Sequence, residues 1–239
     1  MDFTYKAYRD LLLLLKQNGY SITDYHNYMN ISKPAILRHD IDTSLKKALD
    51  LARIENCEGV KSTYFVLLST DFYNVASKKS IDIISEIKSL GHEIGLHFDE
   101  VKYDGFDCSI DDLIRREANI LEEIIDIPIK VVSMHRPSKD TLSANYKIEG
   151  LINSYGMEFF KDFKYVSDSR RRWRENVEEI IASNQYNKLH ILTHAFWYND
   201  DDINIKIAVE SFIEEGKTYR YEAMKDNITD LECILSIND

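Results

Sequence analysis

Residues 34–42 read Pro-Ala-Ile-Leu-Arg-His-Asp-Ile-Asp, an apolar run that turns into charge at its C-terminal end. Pro34–Asp42 has the length and composition of a buried strand. Side chains alternate along a strand, so Arg38, Asp40 and Asp42 share one face while His39 and Ile41 take the other. The same design recurs down the chain. His92–Leu96 runs into His97, Lys130–Met134 into His135 and Arg136, Tyr165–Val166 into Asp168, and Leu189–Thr193 into His194. In a barrel of alternating strands and helices, the C-terminal strand ends open into one mouth, where such folds keep their chemistry. Five parallel strands of this kind would gather a scattered set of Asp and His into one site.

The intervening segments carry helical periods. Phe3–Gln17 reads as a helix ending near Gly19. Leu45, Ala48, Leu49 and Ala52 recur at helical spacing before Gly59, Ile83, Ile84, Ile87 and Leu90 before Gly91, and Ile110 to Ile125 before Pro128. Ser62–Leu68 (STYFVLL) is β-branched and aromatic, as a buried strand should be. This alternation predicts an α/β fold with a parallel sheet and right-handed crossovers, a distorted (β/α) barrel, with an open doubly wound sheet as the alternative. Ile203–Glu215 reads as a covering helix, and Tyr219–Leu235 carries no decisive period. With only 8 Gly and 3 Pro, and with no repeat or low-complexity stretch, nothing divides the chain. A single domain over residues 1–239 is expected, with its chemistry-bearing core at about residues 34–197 and peripheral helices in 1–20 and 203–239.

At 239 residues, 44% hydrophobic, the chain can bury one large α/β core. A net charge of −11 argues against a general nucleic-acid binder or an anionic-membrane surface. Three cysteines, Cys57, Cys108 and Cys233, are too few and too widely spaced for a disulfide framework or a zinc knuckle. The run Leu11–Leu15 is too short for a signal segment or a membrane span. A soluble, cytoplasmic protein is expected.

Two carboxylates as close as Asp40 and Asp42 do not both ionise comfortably unless a cation or a proton intervenes. One can bind a metal while the other takes a proton from water. The competing reading is an Asp near the strand end capping the next helix, with Thr43 or Ser44 doing similar work. His92 and His97 are five apart and fall on opposite strand faces. His97, at the C-terminal end, is the candidate ligand, and His92, at the strand entry, is structural. His26, His39 and His190 also read as structural. Arg170-Arg171-Arg172-Trp173-Arg174 is either a solvated face balanced by Glu175, Glu178 and Glu179, or a clamp for an anionic part of a substrate. Phe196-Trp197-Tyr198 is either a wall for a sugar ring or ordinary core packing. The residues point to a metal-dependent hydrolase.

Gly91-His92-Glu93-Ile94-Gly95-Leu96-His97, placed after Arg38–Asp42 and Ser62–Val66, resembles the polysaccharide deacetylase family (carbohydrate esterase family 4, the NodB homology domain). Arg136-Pro137, Asp168 with Trp173, and Leu192-Thr193-His194 are similar to that family's later segments and follow in its order. The resemblance spans about residues 34 to 197. It implies a distorted (β/α) barrel of the NodB type that removes an acetyl group from an N-acetylated or O-acetylated sugar, using a divalent metal, with zinc the first choice. By the same resemblance Asp40 is the general base, Asp42 and His97 are metal ligands, Arg136 orients the base, His194 is the general acid, and Asp168 holds that histidine. The family's second metal histidine falls here on Val101, which cannot bind a metal. His135 is the first choice to replace it, with Asp99 and Glu100 as alternatives. The expected substrate is a small or carrier-linked sugar, with no nucleic-acid partner and no membrane insertion. Two other readings compete: a metal-free carbohydrate-binding scaffold, favoured by Val101, and a barrel phosphoesterase, favoured by the arginine cluster.

Overall fold

The computed structural model describes residues 1–237, so residues 238 and 239 of the expected peripheral segment lie outside it. The chain forms two compact units, Met1–Asp200 and a second beginning at Asp201. The first unit holds eight parallel strands: β1 (Ser21–Thr23), β2 (Pro34–Ile41), β3 (Thr63–Leu67), β4 (Glu93–Asp99), β5 (Val131–His135), β6 (Ile152–Asn153), β7 (Lys164–Ser167) and β8 (Leu189–Thr193). Its helices are α1 (Tyr5–Gln17), α2 (Leu45–Cys57), α3 (Lys78–Ser89), α4 (Ile110–Ile125), α5 (Lys139–Ala144) and α6 (Val177–Ala182). The second unit holds α7 (Ile205–Lys225) and the short α8 (Leu231–Ile234). No helix of the described residues is long and apolar enough to cross a membrane.

The strand order is β6-β5-β4-β3-β2-β8-β7, with β1 added beside the first residues of β2. Because β2 pairs with β8, this is the cyclic order of a barrel interrupted once, between β6 and β7. A doubly wound sheet would instead grow outward from a central pair. The curl is visible in the packing. Ile36 on β2, Phe65 on β3 and Val131 on β5 meet Tyr25, Tyr28, Phe159 and Phe163 in one cluster inside the sheet. The alternate residues Ala35, Leu37, Tyr64, Val66, Val132 and Met134 of these strands, with Leu96 and Phe98 of β4, pack outward into the helical layer. Strands buried on both faces must be apolar throughout, which is why β2, β3 and β5 read as near-continuous hydrophobic runs. The distorted (β/α) barrel expected from the sequence is therefore the fold observed.

The interior is tight at its middle layer. A Cβ built on Gly95 of β4 would lie 2.6 Å from Phe65 Cε1 and 2.8 Å from Val131 Cγ2. Gly95→Ala is accordingly expected to destabilise the fold by about 1–3 kcal/mol through overpacking. Chemical denaturation measures it, and an unchanged midpoint would show that the barrel relaxes around the methyl group.

The outer face of β2 explains the histidines that do no chemistry. Glu55 of α2, fully buried, accepts from Tyr8 Oη (2.6 Å), Ser62 Oγ (2.5 Å) and Tyr64 Oη (2.7 Å), and pairs with His39 Nε2 at 3.0 Å. His39 Nδ1 meets Thr193 Oγ1 at 2.5 Å, and His92 Nε2 donates to the Ala52 carbonyl at 3.0 Å. Burial pushes the Glu55 carboxyl up, but His39 and the hydroxyl donors hold it down at about 2. A buried carboxylate needs such saturation. His190 likewise bonds Tyr25 Oη (2.7 Å) inside the barrel, and His26 pairs with Glu93 (2.6 Å).

Two short strands, β1 and β6, were not expected. The helix expected at Ile203–Glu215 starts instead at Ile205, capped by Asn204 accepting from the Ile207 amide, and continues to Lys225. The undecided stretch Tyr219–Leu235 thus divides between α7 and α8.

Candidate active site

The strand ends bring the predicted residues together. β4 and β5 pair in a register that puts His97 beside Ser133 and Asp99 beside His135. β2 ends at Ile41, so Asp42 begins the loop above the same mouth. The helix that follows is capped by Ser44, whose Oγ accepts from the Lys47 amide at 3.3 Å. Asp42 is thereby left out of the cap.

Asp42, His97 and His135 converge. His97 Nε2 lies 3.2 Å from Asp42 Oδ1, His135 Nδ1 lies 3.3 Å from the same oxygen, and the two ring nitrogens are 3.1 Å apart. These approaches do not qualify as hydrogen bonds, and this buried oxygen has no hydrogen-bond partner among the described residues. A tetrahedral zinc ion with bonds of about 2.0–2.1 Å spaces its donor atoms about 3.3–3.4 Å apart. Three donor atoms at nearly that spacing, one of them an orphaned buried oxygen, fit a divalent cation. Burial raises the Asp42 carboxyl, but the two imidazoles more than offset that and hold it below the ordinary range.

Ser133 orients His97 and Asp40 together. Ser133 Oγ donates to Asp40 Oδ1 at 3.4 Å, and its lone pair faces His97 Nδ1 at 2.6 Å. With the hydroxyl proton committed to Asp40, Ser133 accepts from His97 Nδ1–H, which leaves the lone pair of His97 on Nε2, towards Asp42. The alternatives to His135 are otherwise engaged. Asp99 accepts from the Val101 amide at 3.2 Å, and Glu100 accepts from the Ser138 amide and the Thr141 hydroxyl. Val101 is exposed in the turn that follows β4.

Asp40, 4% exposed, points into the barrel below this set. Its Oδ2 accepts from Arg38 Nη2 at 2.7 Å and lies 3.7 Å from His97 Nε2. Arg38 is wholly buried. It donates also to Ser154 Oγ (2.9 Å) and Tyr155 Oη (3.3 Å), with its guanidinium over the rings of Tyr155 and Phe65. Burial raises the Asp40 carboxyl, and the Arg38 charge, with His97 and His194 adding to it, brings it below the ordinary value. The arginine on Asp40 is thus Arg38 and not Arg136. Arg136 is exposed, with a left-handed backbone (φ 48°) and no hydrogen bond or ion pair to Asp40.

On the other side of the mouth, His194 Nδ1 meets Asp168 Oδ1 at 2.6 Å, turning Nε2 to within 3.9 Å of Asp42 Oδ2. Asp168 is fully buried and accepts further from the His194 amide (3.0 Å) and Tyr198 Oη (3.2 Å). Burial alone would lower the His194 imidazole, but the Asp168 carboxylate outweighs it and pushes the group up to about 9. Arg38 and Ser133 were not given roles from the sequence, and Tyr198, weighed there as a sugar-ring wall or core packing, is buried with its hydroxyl on Asp168. Each of the first two precedes a site residue by two positions, on the same strand face, and that spacing was the available signal.

The His194 pair has a pH signature. Its folded value lies above the ordinary 6.5, so the pair stabilises fully below about pH 6.5 and the contribution fades as pH rises through about 9. The shift corresponds to roughly 3 kcal/mol at most. Metal-free protein is expected to lose melting temperature between pH 6.5 and 9 more steeply than Asp168→Asn. Equal slopes would remove the pair from the stability balance.

No family model matches the chain, and no curated protein matches it. Solved structures do. One is the catalytic domain of a peptidoglycan N-acetylglucosamine deacetylase from Eubacterium rectale, 18% identical, covering 77% of this chain and 84% of that one at a TM-score of 0.46. Another is a family 4 acetyl xylan esterase from Clostridium thermocellum in complex with a cobalt ion, at 16%, 77% and 84%, TM-score 0.43. A third is a family 4 pseudoenzyme from Bacillus anthracis, at 13%, 78% and 62%, TM-score 0.43. The chain is similar to these proteins. Its fold assignment stands on the strand order and interior layers, and its chemistry on the site's own geometry.

Proposed function

We propose that the chain is a metal-dependent hydrolase that removes an acetyl group from an N-acetylated sugar, an O-acetyl ester being the runner-up. The observation that carries this reading is the spacing of Asp42 Oδ1, His97 Nε2 and His135 Nδ1 at 3.1–3.3 Å around an oxygen that has no hydrogen bond. Asp42, His97 and His135 would hold a divalent ion, zinc by their donor set. When bound, that ion supplies Lewis acidity to the acyl carbonyl and lowers the pKa of the attacking water.

The rest is done by side chains on either flank. Asp40, kept ionised by Arg38, is placed to accept a proton from water. Arg38 also fixes its orientation, since its other nitrogen is tied to Ser154. His194, kept protonated by Asp168, is placed to give a proton to the leaving amine or alkoxide. Asp168 fixes the tautomer and aims Nε2 at the mouth. One group that accepts a proton and one that gives it, on opposite sides of a cation site, is the arrangement that hydrolysis of an amide or ester needs. The acetyl-sugar substrate class is supported by the ordered motif series from Arg38 to His194.

An acetate-release screen over N-acetylated and O-acetylated monomeric and nucleotide-activated sugars, with several divalent ions, tests the proposal. Metal-dependent acetate release is expected. Metal binding without release from any of them would point to a binding scaffold.

A further inference from the structure

The loops that follow β5 and β7 carry four arginines, Arg136, Arg170, Arg172 and Arg174, that make no ion pair among the described residues. The sequence left open whether Arg170–Arg174 forms a solvated face balanced by Glu175, Glu178 and Glu179. Two of those glutamates pair elsewhere. Glu175 pairs with Lys164 at 2.6 Å, and Glu178 with the N-terminal amine at 3.3 Å. Arg170, Arg172 and Arg174 are exposed and have no hydrogen bond from their side chains and no ion pair among the described residues, and the same holds for Arg136.

The backbone singles out the same segments. Seven described non-glycine residues have positive φ, and four of them are Asn or Asp, which tolerate it. The other three are Arg136, Arg170 and Arg171. Arg136 directly follows His135, and Arg170 lies two residues beyond Asp168. The turn over residues 168–172 is pinned by the Arg172 amide donating to the Asp168 carbonyl at 3.1 Å. Left-handed backbone at a non-glycine residue costs about 1–3 kcal/mol and persists where surrounding structure imposes it, commonly at ligand sites. β5 and β7 lie near the two edges of the interrupted barrel, so these loops flank its opening.

We infer that the loop arginines after β5 and β7 bind a phosphoryl group carried by the substrate, so that the enzyme acts on sugar phosphates or their diesters rather than on neutral sugars. This rests on the hydrolase reading above. A chain of net charge −11 repels an anionic substrate unless its mouth is locally positive, whereas a neutral sugar needs no such rim. Four guanidinium groups without protein counter-charges exceed what one carboxylate requires. A phosphoryl group, with up to two charges and three acceptor oxygens, matches several arginine forks at once.

The test is binding of N-acetylglucosamine and of its 1-phosphate, its 6-phosphate and its uridine diphosphate ester to the full metal-free chain, by calorimetry at two salt concentrations. At least one phosphorylated sugar is expected to bind about tenfold or more tighter than the neutral one, with that advantage shrinking in high salt. The combined variant Arg170→Gln, Arg172→Gln and Arg174→Gln should erase the advantage while leaving zinc stoichiometry and neutral-sugar binding unchanged. Arg136→Gln should erase part of it. Equal binding of all four sugars, absence of measurable binding by every phosphorylated sugar, or a preference that survives the combined variant overturns the inference. A preference that holds without acetate release from any sugar would sink the hydrolase reading alone. Equal acetate release from neutral and phosphorylated sugars, with equal binding, would sink only the phosphoryl site.

Discussion

His135→Ala is expected to weaken zinc binding by more than about a hundredfold, since even outer-shell partners of a metal ligand are worth ten- to a hundredfold. Its Nδ1 is one of three donor atoms that converge there, 3.3 Å from Asp42 Oδ1 and 3.1 Å from His97 Nε2. Asp99→Ala and Glu100→Ala are the controls. Asp99 accepts from the Val101 amide, and Glu100 ties down the start of α5 through Ser138 and Thr141, so both should lower thermal stability while leaving one ion per chain. Elemental analysis after dialysis reads the outcome directly. If the Asp99 or Glu100 variant empties the site and the His135 variant does not, the ligand set is wrong.

Asp40→Asn should leave the metal in place and lower turnover by about two to four orders of magnitude, the usual worth of a positioned acid or base. The amide retains an oxygen for Arg38 Nη2 but leaves that buried guanidinium without a counter-charge, so a stability loss of about 3 kcal/mol or more accompanies it. Metal stoichiometry and circular dichroism on the same sample separate the two effects. A folded, metal-loaded Asn variant with full activity would take Asp40 out of the chemistry. Arg136→Gln, by contrast, should leave the rate on a neutral acetylated sugar unchanged, because Arg38 is the arginine that touches Asp40.

Why so much of this architecture was readable has a physical reason. A parallel strand buried on both faces must be apolar until it reaches the mouth, so Pro34–Asp42 and Leu189–His194 announce both the strand and the point where it stops. Period-two alternation then separates Asp40 from His39 and His97 from His92 without any structure. What was not readable depends on approach between segments distant in sequence. β1 and β6 are two or three residues long, too short to show a period, and exist only because a neighbouring strand offers them partners. Arg38 was placed on the right face, but its contact with Asp40 follows from Ser154 and Tyr155, more than a hundred residues away, closing over it. The substitution at Val101 was legible as a missing ligand. His135 was already the first-choice replacement from its place at the end of its strand, and the pairing of β4 with β5 sets it beside Asp99 at the same mouth. Arg136 was assigned by motif order alone, and it is exposed, with a left-handed backbone and no hydrogen bond or ion pair to Asp40.

Metal dependence at Asp42, His97 and His135 is decided by titrating metal-stripped protein with zinc while following acetate release from an N-acetylated sugar phosphate. No release is expected without metal, with activity rising as zinc is added and levelling off at one ion per chain. Release that is indifferent to zinc and to chelator, or a protein that binds no ion at stoichiometric concentration, would contradict it.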